Sequence, residues 1–171
     1  MVNIKFIFRS ILLLICFNGL AQETKFKPAY PVIKGFLGIV HPIVTLDKEG
    51  THTNFSKGYT VGFPMGITIL KSDAFGFSFE VVPFIKAEDN TDKVTNVLFH
   101  PGIIFRGRNG FSFVPRLAFE TNGRYGITPI VSKVFHHTDD YSLFASIPMP
   151  VRFGNEKPAS VGAGILLGIA F

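Results

Sequence analysis

From Lys34 to the last residue the chain alternates between large apolar side chains and small or polar ones, and a period of two is the signature of β-strands. In the final stretch Val161, Ala163, Ile165, Leu167, Ile169 and Phe171 share one face. Ser160, Gly162, Gly164, Leu166, Gly168 and Ala170 share the other. Earlier stretches repeat the division: Phe75, Phe77, Phe79 and Val81 oppose Gly76, Ser78 and Glu80, and Phe111, Phe113, Leu117 and Phe119 oppose Ser112, Arg116 and Glu120. Charged residues therefore share a face with glycine and serine. A water-soluble barrel turns its large apolar side chains inward and its charges outward; this pattern instead predicts a cramped polar interior and an outer face turned to lipid.

Eight segments read as strands, at 34–45, 58–70, 75–86, 93–106, 111–121, 124–135, 141–153 and 160–171. Each is long enough for a tilted membrane strand, which needs about 9–11 residues. Asn109-Gly110 and Asn122-Gly123 are tight-hairpin signals, because both central residues of a type I′ turn need positive φ, so neighbouring strands are antiparallel. Aromatic residues recur near segment ends, among them Tyr59, Phe111, Tyr125, Phe135, Phe153 and Phe171, where an interfacial girdle belongs. Prolines run against this pattern: Pro42, Pro64, Pro83, Pro101, Pro115, Pro129, Pro148 and Pro150 fall inside the first seven segments, although proline cannot donate to a ladder. Either they mark bulges that bend the strands, or some segments are two short strands, an arrangement that would favour a soluble sandwich or open barrel.

No run of about 18 apolar residues exists, so no transmembrane helix is expected despite a mean hydropathy of +0.34. Residues 1–21 read as a signal peptide: Lys5 and Arg9 supply positive charge, Ile11 to Phe17 form a short apolar core, and Gly19 and Ala21 prepare cleavage before Gln22. The single cysteine, Cys16, lies in this leader; a lipoprotein reading would acylate it, but bulky Ile15 occupies the preceding position. Removing Lys5 and Arg9 leaves 15 basic and 12 acidic residues, a charge of +3, too small to suggest nucleic acid. Residues 22–33 form an N-terminal lead and 34–171 the folded domain, with 46–57 its longest loop.

A cleaved leader, alternating strands of membrane length and a terminal strand ending in Phe171 behind Ile169 and Leu167 together resemble the small outer-membrane β-barrel superfamily, eight-stranded and OmpX-like. The resemblance covers the whole mature chain. It implies an eight-stranded antiparallel up-and-down transmembrane barrel in the cell outer membrane, with Leu167, Ile169 and Phe171 forming an assembly signal. The implied partners are outer-membrane lipid and the barrel assembly machinery, and a monomer is expected.

The family's fold selects no function, so chemistry is sought in the residues. Pairing strands through their short connections sets Glu80 near residue 99 and Arg116 near residue 101, bringing Glu80, His100 and Arg116 to one level inside the barrel. Buried charge must be paired, so a structural ion network is expected; a gate or proton-handling cluster is the functional alternative. Glu120, Arg106, Arg152 and Lys86 fall nearer the ends, where water at the rim would solvate them. His136-His137-Thr138-Asp139-Asp140 holds the one cluster of metal-ligand types, but adjacent histidines diverge on an extended backbone, and a polar turn is expected. His52 has no evident partner, although Thr51, Thr53, Asp47 and Glu49 lie near it. No catalytic residue, metal or cofactor is therefore assigned. The reading is a non-enzymatic barrel with a structural or surface-interaction role; its rivals are an outer-membrane lipid-modifying enzyme and a soluble periplasmic carrier.

Overall fold

The computed structural model describes residues 29–55, 58–88 and 91–171. The leader, with its Cys16, lies outside them. The described chain is one antiparallel sheet of twelve strands: β1 Val32–Asp47, β2 Gly50–Thr53, β3 Tyr59–Gly62, β4 Met65–Leu70, β5 Phe75–Glu88, β6 Thr91–Phe99, β7 Gly102–Arg106, β8 Phe111–Glu120, β9 Tyr125–His137, β10 Ser142–Pro148, β11 Val151–Phe153 and β12 Ser160–Ala170. Twelve strands replace the eight expected because three predicted segments divide at proline and β2 forms within the stretch expected to be a loop. The breaks fall at Phe63-Pro64, His100-Pro101 and Met149-Pro150, where a residue without an N–H interrupts the ladder. The carbonyls at these breaks stay in use: Pro64, Pro101 and Pro150 accept from the backbone N–H groups of Gly38, Leu117 and Gly162 at 2.8–2.9 Å. Each broken segment thus keeps its course between its neighbours.

Pro42, Pro83, Pro115 and Pro129 ride within continuous strands. Pro115 lies directly opposite Pro129 as a non-hydrogen-bonded pair, the Pro115 carbonyl turned toward Gly102 and the Pro129 carbonyl accepting from the Met149 N–H. Pro42 adjoins a register shift before Val44, and Pro83 stands just before another at Phe84/Ile85. The loop expected at 46–57 is largely a hairpin extension, since β2 pairs with the end of β1 from Val44↔Thr53 to Asp47↔Gly50. Of the two hairpin signals, Asn109 and Gly110 both take positive φ, 56° and 75°, within a short 3-10 turn. At the second only Gly123 does, at 85°. There Asn122 serves through its side chain instead, accepting from the Arg124 N–H and donating to Glu120.

β1 and β12 pair over Phe36↔Ala170 to Leu46↔Val161, closing the ladder on itself. Phe171 extends the seam by exchanging both backbone hydrogen bonds with Gly35, and its ring packs where a Cβ on Gly35 would lie, 2.6 Å from Cε2. The ladder from Lys34 passes through Thr68, Ser78, Gly102 and Arg116 to Thr128. One residue away, Ile127 continues through Val151 and Val161 to Leu46. That is a stagger of roughly 11 residues, the register shift that closing a tilted sheet requires.

Closure separates two environments. Outside stand Phe77, Phe79, Phe113, Leu117, Ile127 and Leu167, each 40% exposed or more. Inside, Val40, Val82, Leu98, Ala118 and Leu166 form a buried apolar plug, with Phe84 and Phe144 packed against it. The interior is tight enough that a Cβ on Gly168 would lie 2.3 Å from Phe144 Cζ. Aromatic side chains gather near both ends: Phe75, Phe105, Phe111, Phe135, Tyr141 and Phe171 where β1 starts, and Phe55, Tyr59, Phe119, Tyr125 and Phe153 at the far end.

Candidate functional site

Glu80, His100 and Arg116 meet at mid-height inside the closed sheet, all at or below 6% exposure. β5 and β6 bring the first two together: the His100 N–H donates to the Glu80 carbonyl at 2.9 Å, and His100 Nδ1 lies 2.8 Å from Glu80 Oε1. Arg116 arrives from β8. Its Nη2 is 3.6 Å from Glu80 Oε2 and donates to Ser78 Oγ at 2.9 Å, and its Nη1 donates to the His100 carbonyl at 2.8 Å. Arg116 must cross β7 to do this, and Gly102 lies in its path. A Cβ at Gly102 would stand 2.6 Å from Arg116 Cγ, so the missing side chain is what admits the arginine stem. His100 Nε2 and Arg116 Nε have no hydrogen-bond partner among the described residues. The phenyl ring of Phe36 covers the guanidinium, 5.9 Å from Cζ to the ring centroid.

A second ion pair sits nearer the far end, where rim solvation was expected for its members. Arg152 is buried and its Nε lies 2.7 Å from Glu120 Oε1; its Nη1 donates to Thr128 Oγ1 at 3.0 Å. Asn96 and Asn122 donate to the other Glu120 oxygen at 2.8 and 3.0 Å. The construction repeats the first: arginine on one strand, glycine on the next, carboxylate on the third. Here Arg152 pairs with Gly126 of β9, which pairs with Ala118 of β8, two residues before Glu120. That sequence of Arg, Gly and acid across successive segments was a signal available from pairing alone. Arg124, beside the turn, donates to Ser160 Oγ and the Pro158 carbonyl, both at 3.0 Å.

The remaining candidates stay apart from these networks. His52, for which no partner was foreseen, has Nε2 3.2 Å from Asp47 Oδ1, because the β1–β2 hairpin sets Thr45 opposite His52 two residues before Asp47. The Glu49 N–H, donating to the same carboxylate at 2.8 Å, and His52 hold Asp47 below the usual carboxylate range. His136 and His137 diverge: His136 packs against the Tyr141 ring, and His137 Nδ1 lies 2.8 Å from Ser142 Oγ. Among the described residues no group of three or more His, Cys, Asp or Glu could hold a metal. Leu167 and Phe171 stand on the outside, 54% and 56% exposed, with Ile169 half-buried between them.

Cavities lie along the interior. One of about 500 Å³ opens at the end where β1 starts and has Glu80 and Arg116 in its lining. A chamber of about 80 Å³ is lined by Glu80, His100, Thr128 and Arg152. A third of about 280 Å³, lined by Glu120, Asn96 and His52, lies at the far end.

No protein-family profile and no curated protein matches the chain. Similar solved structures include the solution NMR structure of the de novo designed TMB2.3, with 9% identity over 84% of this chain and 96% of that one at a TM-score of 0.46. Another, described as a de novo design of transmembrane β-barrels, has 10% identity over 81% and 93% at a TM-score of 0.45.

Proposed function

We propose that the twelve strands act as eight staves of a transmembrane barrel of the small outer-membrane type, monomeric and non-enzymatic, with a structural or surface-interaction role. In this reading β3 with β4, β6 with β7 and β10 with β11 are single staves interrupted at proline, and β2 extends the first beyond the lipid. The carrying observation is the outer surface. Large apolar side chains are exposed around the circumference while Glu80, Arg116, Glu120 and Arg152 lie inside, an arrangement that water would penalise and a bilayer would reward. No described helix is long and apolar enough to cross a membrane, so the strands are what would span it. A soluble carrier would need these side chains turned inward around a ligand. The aromatic residues near both ends suit two interfacial girdles. The mid-height network supports a passive role, since Glu80 and the Arg116 Nη groups are engaged with protein partners above an apolar plug.

The mature protein is expected to stay folded in mild detergent, to change its migration on a denaturing gel when boiled, and to fractionate with the outer membrane. Abundant monodisperse protein recovered from the periplasm without detergent would overturn the membrane reading. Phe171→Asp is expected to lower outer-membrane levels more than Ala170→Asp, because Phe171 faces outward and would close the signal read by the barrel assembly machinery, whereas Ala170 borders the interior cavity. Equal levels in quantitative immunoblots of membrane fractions would count against that signal.

A further inference from the structure

We infer that the wide half of the interior, at the end where β1 starts and β12 stops, is a binding site for a single-chain amphiphile with an anionic head. The cavity of about 500 Å³ falls within the ~300–1,000 Å³ typical of small-molecule sites. Its lining carries three cations, Lys34, Arg106 and Arg116, against one acid, Glu80, among the described residues. That acid is already engaged by His100 and Arg116. Lys34 and Arg106 lie toward the mouth, on the first strand and at the end of β7, and neither takes part in a salt bridge among the described residues. The Arg106 charge acts on the rim hydroxyl of Tyr30, which is hydrogen-bonded to Asp73. An anionic head at the mouth would meet both cations.

The walls below suit an apolar body. Much of their polar surface is bonded within the wall: Ser132 and Ser146 are hydrogen-bonded at 2.8 Å, Thr68 and Ser78 at 3.3 Å, and Ser142 meets His137. Leu70, Ile104, Val114 and Ile130 fill the wall between these groups. At the floor Phe36 lies over Arg116, and Phe144 stands edge-on to Phe36 at 6.4 Å, so the chain end would meet these rings beside the paired Glu80 and Arg116. From Ser112 to Arg116 is four residues of β8, which at about 3.3 Å per residue and a tilt of about 40° makes a depth of roughly 10 Å. That is the reach of an extended eight-carbon chain.

The test uses the mature protein in nanodiscs titrated calorimetrically with sodium octanoate, octan-1-ol and inorganic phosphate. The expected result is saturable one-site binding of octanoate, at least tenfold tighter than octan-1-ol, with no displacement by phosphate. The Lys34→Gln/Arg106→Gln double variant should bring octanoate down to the affinity of the alcohol and leave the alcohol unchanged. Ser132→Phe, which fills the wall, should abolish both, and Ser112→Phe nearer the mouth serves if the first does not show the boiling shift of the folded chain. Octanoate heats equal in parent, filled variant and empty nanodiscs would mean partition into lipid and overturn the site. Equal affinity for acid and alcohol would remove the anionic head from the claim, and displacement by phosphate would remove the tail; either overturns the inference. The cavity belongs to the closed sheet in any solvent. Should the protein prove water-soluble, the same titration without nanodiscs decides this inference separately from the membrane reading.

Discussion

Arg116→Met is expected to destabilise the folded protein by roughly 3–5 kcal/mol, read as a lower urea midpoint for the chain refolded in lipid vesicles. The size follows from what remains. Glu80 would keep His100 against one oxygen, but its other oxygen would lose the cation, and the Ser78 hydroxyl and His100 carbonyl would lose their donors. A buried charge left without its partner costs more than the intact pair ever contributed, because the desolvation of both ions opposes their attraction. Replacing Glu80, His100 and Arg116 together by apolar residues of similar size should therefore recover most of the loss. The triple variant also separates structure from gating. If the three residues only hold the staves together, planar-bilayer recordings of the triple variant should stay closed, since Leu98, Val114 and Ile130 remain buried beside the removed charges. Steady open channels absent from the parent would make the cluster a gate.

Ile165→Arg should cost about 2–4 kcal/mol in a bilayer, the depth-dependent penalty for a cation on the lipid face near the midplane. Ile165 stands at the middle of β12, 48% exposed and opposite His41 of β1. In water an arginine at such an exposed position would change stability by no more than about 0.5 kcal/mol. The same substitution thus distinguishes the two solvents by several-fold. Its neighbour Leu166, 5% exposed and part of the plug, provides the control, because Leu166→Ala should cost about 2–5 kcal/mol in either environment by leaving a cavity. Vesicle refolding of the two variants side by side checks both expectations. A neutral Ile165→Arg would remove lipid from the outer face.

The alternation of side chains was readable in the sequence because a strand leaves each residue only two directions. Once Gly162, Gly164 and Gly168 share a face with Ser160, the opposite set containing Ile165, Leu167 and Phe171 must go to the other side of the sheet. The meeting of Glu80 with His100 and Arg116 was readable for a related reason, since short antiparallel connections transmit register from one strand to the next. The second network was missed although the same arithmetic reaches it. Position near a strand end was read as access to water, whereas Arg152 crosses Gly126 to Glu120 and is buried there.

The prolines show where local reasoning stops. An isolated strand says only that proline lacks a donor; whether that donor is missed depends on the neighbour it faces. Pro115 and Pro129 stand opposite one another in register yet turn their donor-less edges to the strands on their other sides, while Pro64, Pro101 and Pro150 divide their segments and still lend their carbonyls to a neighbouring strand. The same dependence governs Asp47 and His52, joined by a hairpin that only the pairing of β1 with β2 reveals. The sequence by itself therefore determined the all-β class, the two faces and the residues that share each level, because these follow from a period of two and from short turns. Tertiary structure alone decided that β1 meets β12, how closely the Arg116 stem approaches Gly102 and how much empty space is left inside, because each depends on residues far apart in the chain approaching to within a few ångströms.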